Sequence, residues 1–189
     1  LALPRSEWGL VFWRLVGEIG ASYFFLTALK HMPLANVTAI LQTLPLTVTL
    51  AAAVVFREPL GWRRMGAIIT GFIGVVLSLR PGPEGFNFYA VYSLIAVAFV
   101  TLRDLCTRRL SRETPSLLVT AITAVSVTAA FGLVSIGVEW RAVSAVQGAQ
   151  LAASGSFIFV GYLCAISAMR SGDVAFVAPF RYTSLVWAL

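Results

Sequence analysis

Charge is scarce in this chain of 189 residues. Asp and Glu number 8, Lys and Arg number 14, and the four types together make up 12% of the sequence, about half the usual share in a soluble domain. That scarcity excludes a solvated globular enzyme, a disordered chain and a nucleic-acid-binding module. Lysine occurs once, as Lys30, and histidine once, as His31. His31 falls in a turn before Pro33 and reads as a solvated or loop-capping imidazole, so no metal site is expected. The two cysteines, Cys106 and Cys164, are too few and too far apart for a disulfide framework or a zinc site. Cys164 reads as packing. Alternation is missing as well: the apolar runs are continuous, which excludes the strands of a membrane barrel.

What is abundant is apolar surface. Hydrophobic residues make up 59% of the chain and the mean hydropathy is +0.87, the profile of a polytopic membrane protein. A bilayer-crossing helix needs about 20 mostly apolar residues. Seven stretches meet or approach that length: 11–29, 34–56, 62–79, 86–102, 115–138, 148–169 and one opening after Asp173. Ser144 and Gln147 have capping-box spacing before the sixth, and Asp173 is a natural cap for the seventh. The chain starts at Leu1 and stops at Leu189 inside an apolar run, so it reads as a fragment of a longer bundle. The expected fold is all-α, a transmembrane helical bundle.

The formal charge of +6 is carried mainly by arginines between the apolar runs. Arg5, Arg57, Arg63, Arg64, Arg103, Arg108, Arg109, Arg112 and Arg170 fall on one side, nine in all, against Lys30, Arg80 and Arg141 on the other. An excess of basic residues marks the cytoplasmic side, which puts the N-terminal flank in the cytoplasm. Residues 28–35 and 168–175 each hold a span end, a basic residue, a tight turn and a new span entered through an alanine, at an offset of 140. Five spans separate the copies, so the second is inverted. Inverted repeats around a midplane site recur in secondary transporters.

The stretch Ala28-Leu29-Lys30, Leu34-Ala35-Asn36-Val37-Thr38-Ala39, Leu44-Pro45, Phe56-Arg57-Glu58-Pro59, Trp62, Gly66, Gly71, Gly74-Val75 and Leu79-Arg80-Pro81 resembles the EamA domain of the drug/metabolite transporter superfamily. Residues 172–183 resemble the matching part of the family's second domain. The resemblance implies two inverted five-helix repeats, ten spans in all, of which seven are visible. Residues 1–80 would then hold three spans of the first repeat and 86–189 four spans of a truncated second. It also implies a carrier of small metabolites in a bacterial-type inner membrane, working by alternating access.

Ionisable groups inside a bilayer are costly, about 2.5–3.5 kcal/mol each on insertion scales. Arg14 and Glu18 are one helical turn apart and can pair. The plain reading is an anchor at the cytoplasmic edge; the functional one gives Glu18 a coupling proton or a cationic group. In the second span Thr38, Gln42, Pro45 and Thr49 share a face, with steps of four, three and four. Pro45 cannot donate to the Leu41 carbonyl, and freed backbone polarity at that depth is tolerated against protein or a cavity. Asn36 is equally a cap or a ligand. Arg181 and Tyr182 lie about eight residues into the seventh span, where a fixed cation suits an anionic or zwitterionic substrate. Tyr162, midway along the sixth, could stack an aromatic one. The expected cavity is therefore Gln42, Thr38, Tyr162, Arg181 and Tyr182, with Glu18 and Arg14 as the proton or charge site. Gly66, Thr70, Gly74 and Ser78 repeat every four residues, a stripe for close helix approach. Glu58 reads as a loop or gate contact.

The expected partners are a small metabolite and the lipid bilayer, with no cofactor and no nucleic acid, and with room for a homodimer. Two rival classes use the same residues. A seven-helix receptor or retinal protein matches the visible span count, yet Lys30 is in a turn and the last span has no lysine. An intramembrane enzyme would have to work with one histidine and with Asp104 and Asp173 far apart in sequence, without an HExxH motif.

Overall fold

A computed structural model describes residues 4–57, 59, 61–79, 88–111, 114–139, 142–171, 174–177 and 180. Among them all regular structure is helical. A 3-10 turn at Arg5–Glu7 leads into α1 (Trp8–His31), followed by α2 (Leu34–Leu41), α3 (Leu44–Phe56), α4 (Trp62–Leu79), α5 (Tyr89–Arg109), α6 (Ser116–Val134), α7 (Ala145–Ser171) and the short α8 (Val174–Val177). Counting α2 and α3 as one interrupted span, five helices are long and apolar enough to cross a membrane: Trp8–His31, Leu34–Phe56, Tyr89–Arg109, Ser116–Val134 and Ala145–Arg170. The third expected span is present as the 18-residue α4. The seventh falls almost wholly outside the described residues, and with it Asp173, Arg181 and Tyr182; Glu58 is outside them too.

Local chemistry explains the boundaries. Pro45 has no N–H to give Leu41, and the helix breaks there: α2 ends at Leu41, a turn takes up Gln42 and Thr43, and α3 starts at Leu44. The buried Thr43 turns back onto the Ile40 carbonyl with both its hydroxyl, at 2.7 Å, and its N–H, at 3.0 Å, which fixes the turn at the break. At the start of α7 the Ser144 N–H donates to Gln147 Oε1 at 3.0 Å and the Gln147 N–H to Ser144 Oγ at 3.3 Å, the reciprocal cap expected from the spacing. The fourth span runs seven residues past its expected end at Leu102, through Arg103 and Asp104 to Arg109. Those two charges neutralise each other within the bundle, so they do not stop the helix.

Packing is most extensive between α1 and α5, and α5 also touches α2, α3 and α7, while α6 lies on α1 and α7. Glycines make the α1–α5 approach possible. A β-carbon at Gly17 would stand 2.9 Å from the Phe99 carbonyl oxygen and 3.0 Å from Arg103 Cβ, and one at Gly20 would stand 2.7 Å from the Phe99 ring. The stripe expected on the third span behaves differently. Nothing lies within 4 Å of a β-carbon at Gly66 or Gly74, Thr70 is exposed, and the Ser78 side chain is outside the described residues. On α4 the close approach is instead at Gly71, against Leu46. Small residues at period four describe a face, not whether a neighbour covers it.

Two apolar clusters hold the bundle at opposite ends of α1: Ala28, Met32, Val37, Ile40, Ala90 and Val97 at one, and Val11, Leu110, Val119 and Ile166 at the other. Trp13, Leu26, Val54, Leu133 and Phe157 are exposed on the outer faces, an apolar surface of the kind that faces lipid or another protein.

Candidate functional site

Between the two clusters α1, α5, α6 and α7 bring together charges that the sequence scatters. Arg14, on α1, is only 1% exposed. Its Nε donates to Thr107 Oγ1 at 2.9 Å, its Nη1 to Thr123 Oγ1, and its Nη2 reaches the Tyr162 hydroxyl at 3.5 Å. Arg103, on α5, presents Nε and Nη2 to Asp104 Oδ1, each at 2.9 Å. Its Nη1 faces both oxygens of Glu18 at 3.4 Å and the Tyr162 hydroxyl at 3.4 Å. The Tyr162 ring lies beside both cations, its centroid 5.6 Å from the Arg14 guanidinium carbon and 5.7 Å from that of Arg103, within cation–π range.

This arrangement corrects the expected pairing. Glu18 pairs with Arg103 across the α1–α5 contact, and Arg14 takes neutral hydroxyls. A pair one turn apart on a helix surface gains only about 0.2–0.5 kcal/mol. Arg103 supplies a planar fork in a water-poor interior, where charge-assisted bonds are stronger. Arg103 also leaves the set of flanking arginines, since Glu18 and Asp104 take up its charge inside the bundle.

Next to this cluster is a cavity of about 420 Å³ between α1, α6 and α7. Its polar lining includes Glu18, Ser22, Thr120, Thr123 and Tyr162, and Phe159 and Ile158 supply apolar wall. Of the expected cavity residues, Tyr162 borders this space, as does Glu18 from the charge site. Thr38 is exposed and donates to the Leu34 and Ala35 carbonyls at 2.9 Å. Gln42 is half-buried at the break, its N–H on the Thr38 and Ala39 carbonyls. Neither borders the space beside Tyr162, and Arg181 and Tyr182 lie outside the described residues.

Sequence reasoning missed Arg103, Asp104, Thr107 and Thr123 as members of the site. One signal was available: Thr101, Asp104 and Thr107 recur every three residues on one face of α5, and all three are buried. Glu7 and Arg170 were missed too. Glu7 is 6% exposed; its carboxylate accepts from the Ser111 N–H at 2.7 Å and from the Thr114 hydroxyl. Arg170, near the end of α7, donates to Ser116 Oγ at 2.9 Å and to the Ser111 carbonyl.

Comparison with known proteins follows this geometry. Residues 2–80 match the EamA-like transporter family. The S-adenosylmethionine uptake transporter of Rickettsia felis is 28% identical over 161 residues, covering 82% of this chain and 52% of that protein. That of Rickettsia prowazekii is 29% identical over 157 residues, with the same coverage. The riboflavin transporter of Brucella anthropi is 26% identical over 185 residues, 95% of this chain and 65% of that one. The chain thus spans about half the length of the uptake transporters it matches. No solved structure matches it.

Proposed function

From a chain that carries an EamA-like transporter domain over residues 2–80, we propose a secondary carrier that moves a small metabolite across a membrane by alternating access. One observation carries the reading: a cavity of about 420 Å³ between membrane-length helices, with Glu18 in its wall and Arg14, Arg103 and Asp104 beside it. Ionisable groups in a span are retained at a cost and mark substrate or ion paths. The volume falls in the range of pockets that take a small organic ligand, and relatives named for S-adenosylmethionine and riboflavin make those two metabolites the first to try. In this reading Tyr162 and Glu18 contact the substrate, and Glu18, with Arg14 behind it, is where a coupling proton would act.

The wider architecture belongs to the same proposal. Ten spans in two inverted repeats would place Gln42 and Thr38, on the broken span, opposite Arg181 and Tyr182 on its inverted counterpart. With Arg103 paired to Glu18 and Asp104 inside the bundle, eight flanking basic residues remain against three, which still favours a cytoplasmic N-terminal flank in a bacterial-type inner membrane. A homodimer fits the reading as well.

Uptake of labelled S-adenosylmethionine and riboflavin by the full-length protein in vesicles tests it. Ile158→Trp adds a bulky ring to the cavity wall and should abolish uptake, whereas Val125→Trp, equally exposed on α6 but outside that wall, should leave it near wild type. Unchanged uptake in a folded Ile158→Trp protein would remove the cavity from the transport path.

A further inference from the structure

Arginines at the helix ends are not spread evenly: several converge where α3 stops, α4 starts and α5 stops. We propose that this cluster holds the phosphodiester head group of an anionic phospholipid. The proposal stands whatever the cavity carries.

One ring organises the cluster. Phe56 is the last residue of α3, and with Leu105 it packs on the buried Val48, Ala52 and Met169. The guanidinium carbon of Arg108 lies 4.5 Å from its centroid and that of Arg109 lies 5.3 Å away. Consecutive residues on a helix point about 100° apart, so neighbouring arginines ordinarily diverge. Here the face of Phe56 attracts both. Directly after it, Arg57 caps α3 in the left-handed region, at φ 54°, and is exposed. After residues 58–61, α4 opens with Trp62, which is 80% exposed. The Arg63 guanidinium carbon lies 5.4 Å from the Trp62 ring centroid, and both Arg63 and Arg64 are exposed.

Charge decides the partner. Among the described residues Arg57, Arg63 and Arg109 enter no ion pair: Glu18 and Asp104 belong to Arg103, and Glu7 is bonded to Ser111 and Thr114. Like charges held this close repel, and an anion placed among them is attracted by several at once. A guanidinium presents a fork of N–H groups that matches phosphate oxygens in pairs. Basic pockets between membrane helices take acidic lipid head groups, and tryptophan favours the same depth as those head groups. Further along the helices Val54 of α3 and Met65 and Ile69 of α4 are exposed, which gives acyl chains an apolar surface. A soluble phosphate would use the arginines and leave that surface empty.

The test follows the melting temperature of full-length, delipidated protein in detergent as phosphatidylglycerol, phosphatidylcholine or inorganic phosphate is added. A surface arginine is worth about fivefold toward an acidic lipid. Three of them should make phosphatidylglycerol act at about a hundredth of the phosphatidylcholine concentration, and inorganic phosphate should leave the melting temperature unchanged. Arg57→Gln, Arg63→Gln and Arg109→Gln together should abolish the preference for phosphatidylglycerol. Lys30→Gln, Arg80→Gln and Arg141→Gln together remove the same charge from the other side and should keep it. No preference between the two lipids in the unaltered protein, or a rise with inorganic phosphate equal to that with phosphatidylglycerol, overturns the proposal. So does a preference that survives the first triple substitution or is lost equally in the second. Should the first triple variant fail to fold, Arg63→Gln and Arg109→Gln serve singly. Each should weaken the preference about fivefold, and an undiminished preference in both overturns the proposal.

Discussion

Replacing Gly17 with alanine should loosen the contact that sets Glu18 against Arg103. The new methyl would lie 3.0 Å from Arg103 Cβ and 2.9 Å from the Phe99 carbonyl oxygen. Carbon pairs rest at about 3.5–4.0 Å, so α1 must retreat from α5 by about 0.5–1 Å. The Glu18–Arg103 distance, already 3.4 Å, would then approach the limit of an ion pair. Overpacking of this kind costs about 1–3 kcal/mol, while alanine gains about 1 kcal/mol of helix propensity over glycine. Gly74→Ala separates the two effects, because nothing lies within 4 Å of a β-carbon there. The difference between the variants isolates the clash: Gly17→Ala should melt several degrees below Gly74→Ala, at about 2–4 °C per kcal/mol. Gly20→Ala should fall between them, since its obstacle is the Phe99 ring, which can rotate, and not backbone. Thermal unfolding of the purified protein in detergent gives the ranking, and uptake per folded molecule should drop for Gly17→Ala alone. A Gly17→Ala protein that melts as high as Gly74→Ala would refute this account of the α1–α5 contact.

Three further outcomes follow from the geometry. Tyr162→Phe keeps the ring beside both guanidiniums and removes an acceptor held at 3.4 and 3.5 Å; the loss in stability should be about 1 kcal/mol, read by denaturant midpoint, and a loss above about 3 kcal/mol would mean the hydroxyl matters far more than its long contacts imply. Ser144→Ala removes the reciprocal cap of α7 and should cost about 1 kcal/mol, visible as faster amide exchange over the first turn of α7; unchanged exchange would contradict it. Single cysteines at positions 109 and 141, in a protein without Cys106 and Cys164, should react with an impermeant reagent from opposite sides of the membrane, and reaction of both from outside intact cells would defeat the topology.

The helices were legible because bilayer length and continuous apolar runs constrain them strongly. The break in the second span was legible from Pro45 alone, and the start of α7 from Ser144 and Gln147. The charged cluster was not. Glu18 and Arg103 are 85 residues apart in sequence, and a single sequence offers Arg14 as the nearer partner. Tertiary contact outweighs that local preference, because the fork of Arg103 can hold two acids. Arg103 itself was read as a flank, because a charge after an apolar run ordinarily ends a span. What extends the helix is Asp104, whose neutralising effect depends on both groups being inside the bundle. Tyr162 was found from its depth, while Thr120 and Thr123 were passed over because hydroxyls are common in apolar helices.

The bonds around Ser111 work as a latch. Glu7 precedes α1, Ser111 and Thr114 join α5 to α6, and Arg170 is near the end of α7; Glu7 and Arg170 both hold Ser111. One turn further along α1, Val11, Leu110, Val119 and Ile166 pack into an apolar cluster. In the proposed carrier, a solute leaving the cavity toward this end would thus meet two barriers in series, one greasy and one hydrogen-bonded. Leu110 belongs to the first and its neighbour Ser111 to the second, so the barriers share a hinge pin. In the proposed carrier, a movement of Leu110 and Ser111 would loosen both together.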